Sequence, residues 1–150
     1  MLGLSQSTYL DKILKKFKMD DQLKKGFLPL LQGVNLSKTQ SPTTIEERER
    51  MKVIPYVSAI GSIMYAMLCT RPDVCLVMSL ARGYNSDPGV GHWTSVKIIL
   101  RYLKRTKEMF LSYGGDKEIV VKGYVHASFD TNPGDYGSQS GYVLNVGEIS

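Results

Sequence analysis

From residue 7 to residue 107 the apolar positions recur mostly with a helical period. Leu10, Ile13, Leu14 and Phe17 fall at i, i+3, i+4 and i+7, with Lys12, Lys15, Lys16 and Lys18 on the other sides, which predicts an amphipathic helix over 7–19. Thr8 with Asp11 resembles a capping box at its start. A second helix is predicted within 55–73. Pro55 suits its first position, where a missing N–H is harmless, and Pro72 stops it by pushing the preceding residue out of the helical region. Val57, Ile60, Met64 and Met67/Leu68 form the expected buried stripe, and Ala59, Ser62 and Ala66 leave another side small enough for close packing. This helix is expected to be the most buried element. Pro72 and Asp73 then open a third helix, lined by Val74, Val77, Met78 and Ala81 until Gly83. After a turn at 85–89, Trp93, Val96, Ile99, Leu100 and Leu103 line a helix over 91–107.

Two stretches break this period. Residues 26–55, with Gly26, Pro29, Gly33 and Pro42, predict a long extended connector over the surface. Inside it Thr44 and Glu47 are placed to cap one or two helical turns over 46–51, and the acidic–basic run there reads as a solvated turn rather than a metal cluster. Beyond residue 108 the period becomes that of strands: 109–113 and 118–124 around Gly114-Gly115-Asp116-Lys117 read as a hairpin, and 141–144 as a last strand after a polar loop. Residues 1–4 read as the end of a strand. The expected fold is α+β: three to four helices in 1–108, followed by two to three strands in 109–150 that bury too little to stand alone.

Charge singles out one surface. Lys+Arg 19 against Asp+Glu 14 leaves +5, which suits an acidic partner. Lys97, Arg101, Lys104 and Arg105 fall at i, i+4, i+7 and i+8, on the side of the last helix opposite its apolar stripe. They are the candidate phosphate-binding residues, with a plain solvated face as the alternative. Cys69 and Cys75, six apart in apolar surroundings, read as core thiols of a reducing compartment. No apolar run reaches the ~18–20 residues of a membrane span. No basic segment followed by an apolar core marks a signal peptide, so an intracellular protein, cytoplasmic or nuclear, is expected rather than a secreted one. No residues take the spacing of a metal site or a nucleophilic triad, and His92, beside Trp93 at a helix start, reads as a packing and capping residue.

Five blocks in order carry a resemblance: LGLSQSTYLDKILKKF, LSKTQSP, IPYVSAIGSIMYAMLCTRPDV, HWTSVKIILRYLKRTK and KGYVHASF with SQSGYV. Together they resemble Ty1/copia-type retrotransposon Pol polyproteins, at the end of the reverse transcriptase and the start of the ribonuclease H domain. The run Ile60-Gly61-Ser62-Ile63-Met64-Tyr65 followed by Thr70-Arg71-Pro72-Asp73 is quite specific, and the order of all five blocks is more specific still. The resemblance implies a thumb/connection-like helical segment over 1–108 that holds primer–template nucleic acid. It also implies an incomplete ribonuclease H-like α/β domain over 109–150. The polymerase's paired aspartates are absent, and His126 stands where the family's first strand has a magnesium-binding Asp. Neutral imidazole is a poor ligand for hard Mg²⁺, so the magnesium of the intact enzyme is not expected in this chain. Asp130 and Asp135 read as loop residues, and Gly137 stands where the family often has a basic residue. The expectation is a truncated polyprotein piece, inactive alone, with no cofactor, membrane or small-molecule substrate. Its expected partners are an RNA–DNA hybrid or DNA and the rest of the polyprotein. A retained basic helical module that binds phosphates is the second reading.

Overall fold

The computed structural model describes residues 2–19, 29, 36–113, 121–128 and 139–146. In chain order they form β1 (Leu2–Leu4), α1 (Ser7–Lys16), a 3-10 turn (Lys38–Gln40), α2 (Ile45–Lys52) and α3 (Tyr56–Cys69). A second 3-10 turn (Pro72–Val74), α4 (Cys75–Arg82), α5 (Val90–Arg105), β2 (Leu111–Tyr113), β3 (Val121–Ser128) and β4 (Gln139–Val146) follow. The fold is mostly helical α+β. It divides into two compact units, Leu4–Leu111 and a smaller one of Met1–Gly3 with Ser112–Ser150.

In the helical unit, α1, α4 and α5 bury the stripes their periodicity predicts. Leu10, Ile13, Leu14 and Phe17 are buried on α1, and Val77, Met78 and Ala81 on α4, beside Val74. On α5 the buried side holds Val96, Ile99, Leu100 and Leu103, with His92, Ser95 and Ile98 added and Trp93 at its margin. α3 departs from expectation. It buries Tyr56, Ala59, Ile60, Ile63 and Ala66, while Val57 and Leu68 are 58% and 75% exposed. With no charge anywhere on α3, the pattern cannot fix which apolar side faces inward. The small side decides it: Ala59 and Ala66 are fully buried, and the Ser62 carbonyl accepts a 3.0 Å hydrogen bond from the Tyr9 hydroxyl. The most buried helix is therefore α5, with seven buried residues against five on α3.

The helix ends differ in detail from the sequence reading. Pro55 is the cap of α3 rather than its first residue. α1 starts at Ser7 with Gln6 as its cap, which puts Thr8 inside the first turn, so the Thr8–Asp11 capping box does not form. Gln6 Oε1 instead accepts a hydrogen bond from Thr70 Oγ1, at 2.7 Å. The box at α2 does form: the Glu47 N–H donates to Thr44 Oγ1, and Glu47 Oε2 accepts from the Thr44 N–H, both at 3.2 Å. The cysteines are not core thiols, since Cys75 is exposed and Cys69 half-buried at the ends of their helices.

Residues 36–43 are packed rather than a surface connector. Leu36 is buried, and the backbone of Gln40 passes so close to Gly89 that a Cβ there would lie 1.7 Å from the Gln40 carbonyl oxygen. His92, fully buried, fixes this approach. Its Nδ1 accepts from the Gly89 N–H, at 2.9 Å, which leaves Nε2–H to donate to the Ser37 carbonyl, also at 2.9 Å. The ring stacks on Tyr84 with centroids 4.0 Å apart. Burial holds His92 below the usual imidazole range, against the opposing pull of the Ser37 carbonyl and Asp87. Residues 26–28 and 30–35 of the expected connector lie outside the described residues.

Among the described residues the strand pairing is not the expected hairpin. β2 joins β1, and β3 pairs antiparallel with β4, with Val125 opposite Tyr142 and His126 opposite Gly141. Val125 and Tyr142 are 82% and 77% exposed. The polar-loop residues Asp130, Asp135 and Gly137 lie outside the described residues.

Two substitutions test the Gly89 approach. Gly89→Ala should lower the unfolding free energy by roughly 2 kcal/mol, because a backbone must move to admit the methyl group. Gly61→Ala, which meets nothing within 4 Å, should raise it by about 0.5–1 kcal/mol through helix propensity; urea unfolding reads both. A third prediction follows from His92. Its folded pKa is depressed, so the stability it contributes is present above the unfolded value of about 6.5 and is lost as pH falls below it. Melting temperature should fall as pH drops below about 6.5, and His92→Gln should flatten that slope.

Candidate nucleic-acid interface

α5 carries the cation row on one side and is held at both ends. At its N-terminus stands the His92 anchor. At its C-terminus stands Arg71, whose side chain is 3% exposed. Arg71 Nε and NH2 donate to the two carboxylate oxygens of Asp73, at 3.0 and 2.7 Å. NH1 donates to the Thr106 carbonyl at 3.2 Å and NH2 to Thr106 Oγ1 at 2.6 Å. The guanidinium therefore satisfies a carbonyl just past the last turn of α5 that has no partner within the helix. The Tyr102 hydroxyl donates to Asp73 Oδ2, at 2.7 Å, and the Tyr102 ring lies beneath the guanidinium, 5.3 Å away. Burial pushes the Asp73 carboxyl upward, but the Arg71 and Tyr102 hydrogen bonds outweigh it and hold the group below the usual carboxylate range. Burial, then the Asp73 hydrogen bond, raises the Tyr102 phenol.

The four predicted cations stand together on the side of α5 away from the core. Lys97 lies over the Trp93 ring, 5.9 Å from its centroid. Lys104 Nζ donates to the Met19 carbonyl at 3.0 Å, tying α5 to the end of α1. Arg105 is exposed. Arg101 is half-buried, and its Nε is buried without a hydrogen-bond partner among the described residues. No Asp or Glu occurs along α5. This arrangement holds guanidinium and ammonium groups along one side of a helix that carries no acid.

Several features escaped sequence reasoning. The Arg71–Asp73–Tyr102 cluster joins residues 31 positions apart, and only Arg71-Pro72-Asp73 was visible as a motif. The seam of Lys107 with Asp11, 3.1 Å apart, likewise has no local signal. Among the described residues no group of three or more His, Cys, Asp and Glu is gathered as metal ligands would be. His126 is on β3, and its side chain lies outside what is described.

Comparison with known proteins gives three informative relatives. The retrovirus-related Pol polyprotein from transposon TNT 1-94 of Nicotiana tabacum is 41% identical over 143 residues, which are 95% of this chain and 11% of that protein. The Pol polyprotein from transposon RE2 of Arabidopsis thaliana is 31% identical over 94 residues, 61% of this chain and 6% of that protein. Secreted RxLR effector protein 161 of Plasmopara viticola is 37% identical over 102 residues, covering 67% of this chain and 72% of the relative. The chain thus spans about a tenth or less of the two Pol relatives it matches. No protein-family profile and no solved structure matches it.

The Arg71 cluster generates a test of how α5 is held. Arg71→Ala should cost about 3 kcal/mol in urea unfolding, because it removes the buried partner of the Asp73 carboxylate and four hydrogen bonds, two of which tie the α3–α4 bend to the end of α5. Arg71→Lys should recover only part of this, since an ammonium cannot make the two-pronged contact.

Proposed function

The chain belongs to the copia-type retrotransposon Pol polyprotein family, and on that premise we propose that it grips the phosphate backbone of a nucleic-acid duplex through α5. The observation that carries this reading is the cation row Lys97, Arg101, Lys104 and Arg105 on one face of an acid-free helix. Phosphate oxygens carry the negative charge that such a row of cations attracts. The duplex is an RNA–DNA hybrid or DNA, and it is bound without regard to sequence, because phosphate contacts position a duplex but carry no base information.

On this reading the chain holds nucleic acid and catalyses nothing alone. Two-metal phosphoryl transfer needs converging carboxylates, and the sequence has neither the polymerase Asp pair nor the first nuclease Asp. His126 offers nitrogen where magnesium takes oxygen, so the donor chemistry here does not fit that ion. β3 and β4 are proposed as the opening strands of a ribonuclease H-like part, with the rest of the polyprotein as a further partner. The Plasmopara viticola relative, 72% of which is matched by 102 residues of this chain, favours the second reading, in which a stretch of about this length acts as a module by itself. Both readings share the same α5 surface.

Binding of the full chain to a fluorescent RNA–DNA hybrid across a salt series tests the proposal. Four phosphate contacts give a slope of log affinity against log salt of about −3.6. The fourfold Gln variant of Lys97, Arg101, Lys104 and Arg105 should flatten that slope towards zero, with a cooperative thermal melt retained. An unchanged slope in the folded variant would falsify the proposal.

A further inference from the structure

We propose that the phosphate-binding surface crosses the seam between α5 and the end of α1, and that Lys18 is a phosphate-contacting residue. This rests on the nucleic-acid reading of α5 and extends it to a second element.

Lys18 is the one described non-glycine residue with positive φ, at 53°. The hydrogen bonds around it explain the conformation. The Lys18 N–H donates to the Lys15 carbonyl at 3.1 Å, and the Met19 N–H donates to the Leu14 carbonyl at 3.0 Å. That pair of bonds is a Schellman helix end, with Lys18 at the left-handed position that glycine fills without strain. Met19 and Leu14 are both buried, so the apolar contact that accompanies the motif is in place without the Lys18 side chain. The turn gains nothing from a long side chain at this position, and strain kept without structural benefit points to function.

The ordinary explanation for a cation here is the negative end of the helix dipole. Lys15 and Lys16 already occupy the last turn of α1. What Lys18 adds is location. Its side chain is exposed, and the carbonyl of the next residue, Met19, holds the ammonium of Lys104. That contact sets the chain next to Lys18 against the α5 row. The Lys107–Asp11 pair clamps the same two helices further along. Cations gathered on a rigid seam repel one another until a polyanion screens them, and a continuous phosphodiester backbone fits such a row.

Lys18→Gly separates the two roles, because it removes the cation and the strain together. In the salt series with the RNA–DNA hybrid, the Lys18→Gly chain should show a slope shallower by about 0.9, one phosphate contact. Its melting midpoint should be at or above that of the parent protein. Lys18→Arg should bind as the parent does. A Lys18→Gly slope equal to the parent's, alongside a flattened slope for the fourfold α5 variant, overturns the seam and leaves the α5 reading standing. A lower melting midpoint for Lys18→Gly also overturns it, because Lys18 would then be structural. Absence of salt-dependent binding by the parent protein overturns both.

Discussion

The helical unit turns on one buried charge. Arg71, 2% exposed, sits where the chain leaves α3 and bends into α4. A guanidinium taken out of water is tolerated only when its donors are met, and here Asp73 and Thr106 meet them. The consequence is geometric. The α3–α4 bend and the last turn of α5 are fixed to the same side chain, and Tyr102 closes the cluster from α5 itself. Lys104 and Arg105 sit on that last turn, so a structural ion pair sets where the charged surface stands. Thr70-Arg71-Pro72-Asp73, one of the motifs of the resemblance, therefore acts through the fold.

A second constraint acts at the other end of α5. His92 must stay neutral to accept from Gly89 while donating to Ser37, and Gly89 must lack a side chain for Gln40 to pass. Together these bring residues 36–43 against the helix start. Both ends of α5 are thus held by polar contacts, and its middle by apolar ones from Val96 to Leu103. Such a helix presents its outer face as a rigid row, which lowers the entropic cost of binding an extended polyanion.

Much of this was legible in the residues, for a definable reason. α1, α4 and α5 have a polar side, so their periodicity fixed which face is buried and left the α5 cations outward. α3 has no charged side, so the pattern marks Ile60 and the small Ala59–Ala66 side as packing surface but cannot show that Val57 and Leu68 face outward. The packing of residues 36–43 was illegible because it depends on Ser37 meeting His92 and Gln40 meeting Gly89, contacts that leave no local pattern. Strand pairing failed for the same reason: β1 meets β2, at the far end of the chain, in place of the hairpin suggested by the glycines at 114 and 115. Within the site, the four α5 cations could be read from spacing. The left-handed turn at Lys18 could not, since a lysine gives no sign of the conformation that a glycine would have announced.

On the proposed function the α5 face lies against phosphate. Lysine labelling with and without a bound RNA–DNA hybrid, read by mass spectrometry, tests it residue by residue. Lys97 and Lys104 should be protected on binding, with Lys52, which pairs with Glu49 on α2, unchanged. Bound hybrid that leaves Lys97 and Lys104 as reactive as in the free protein would contradict it.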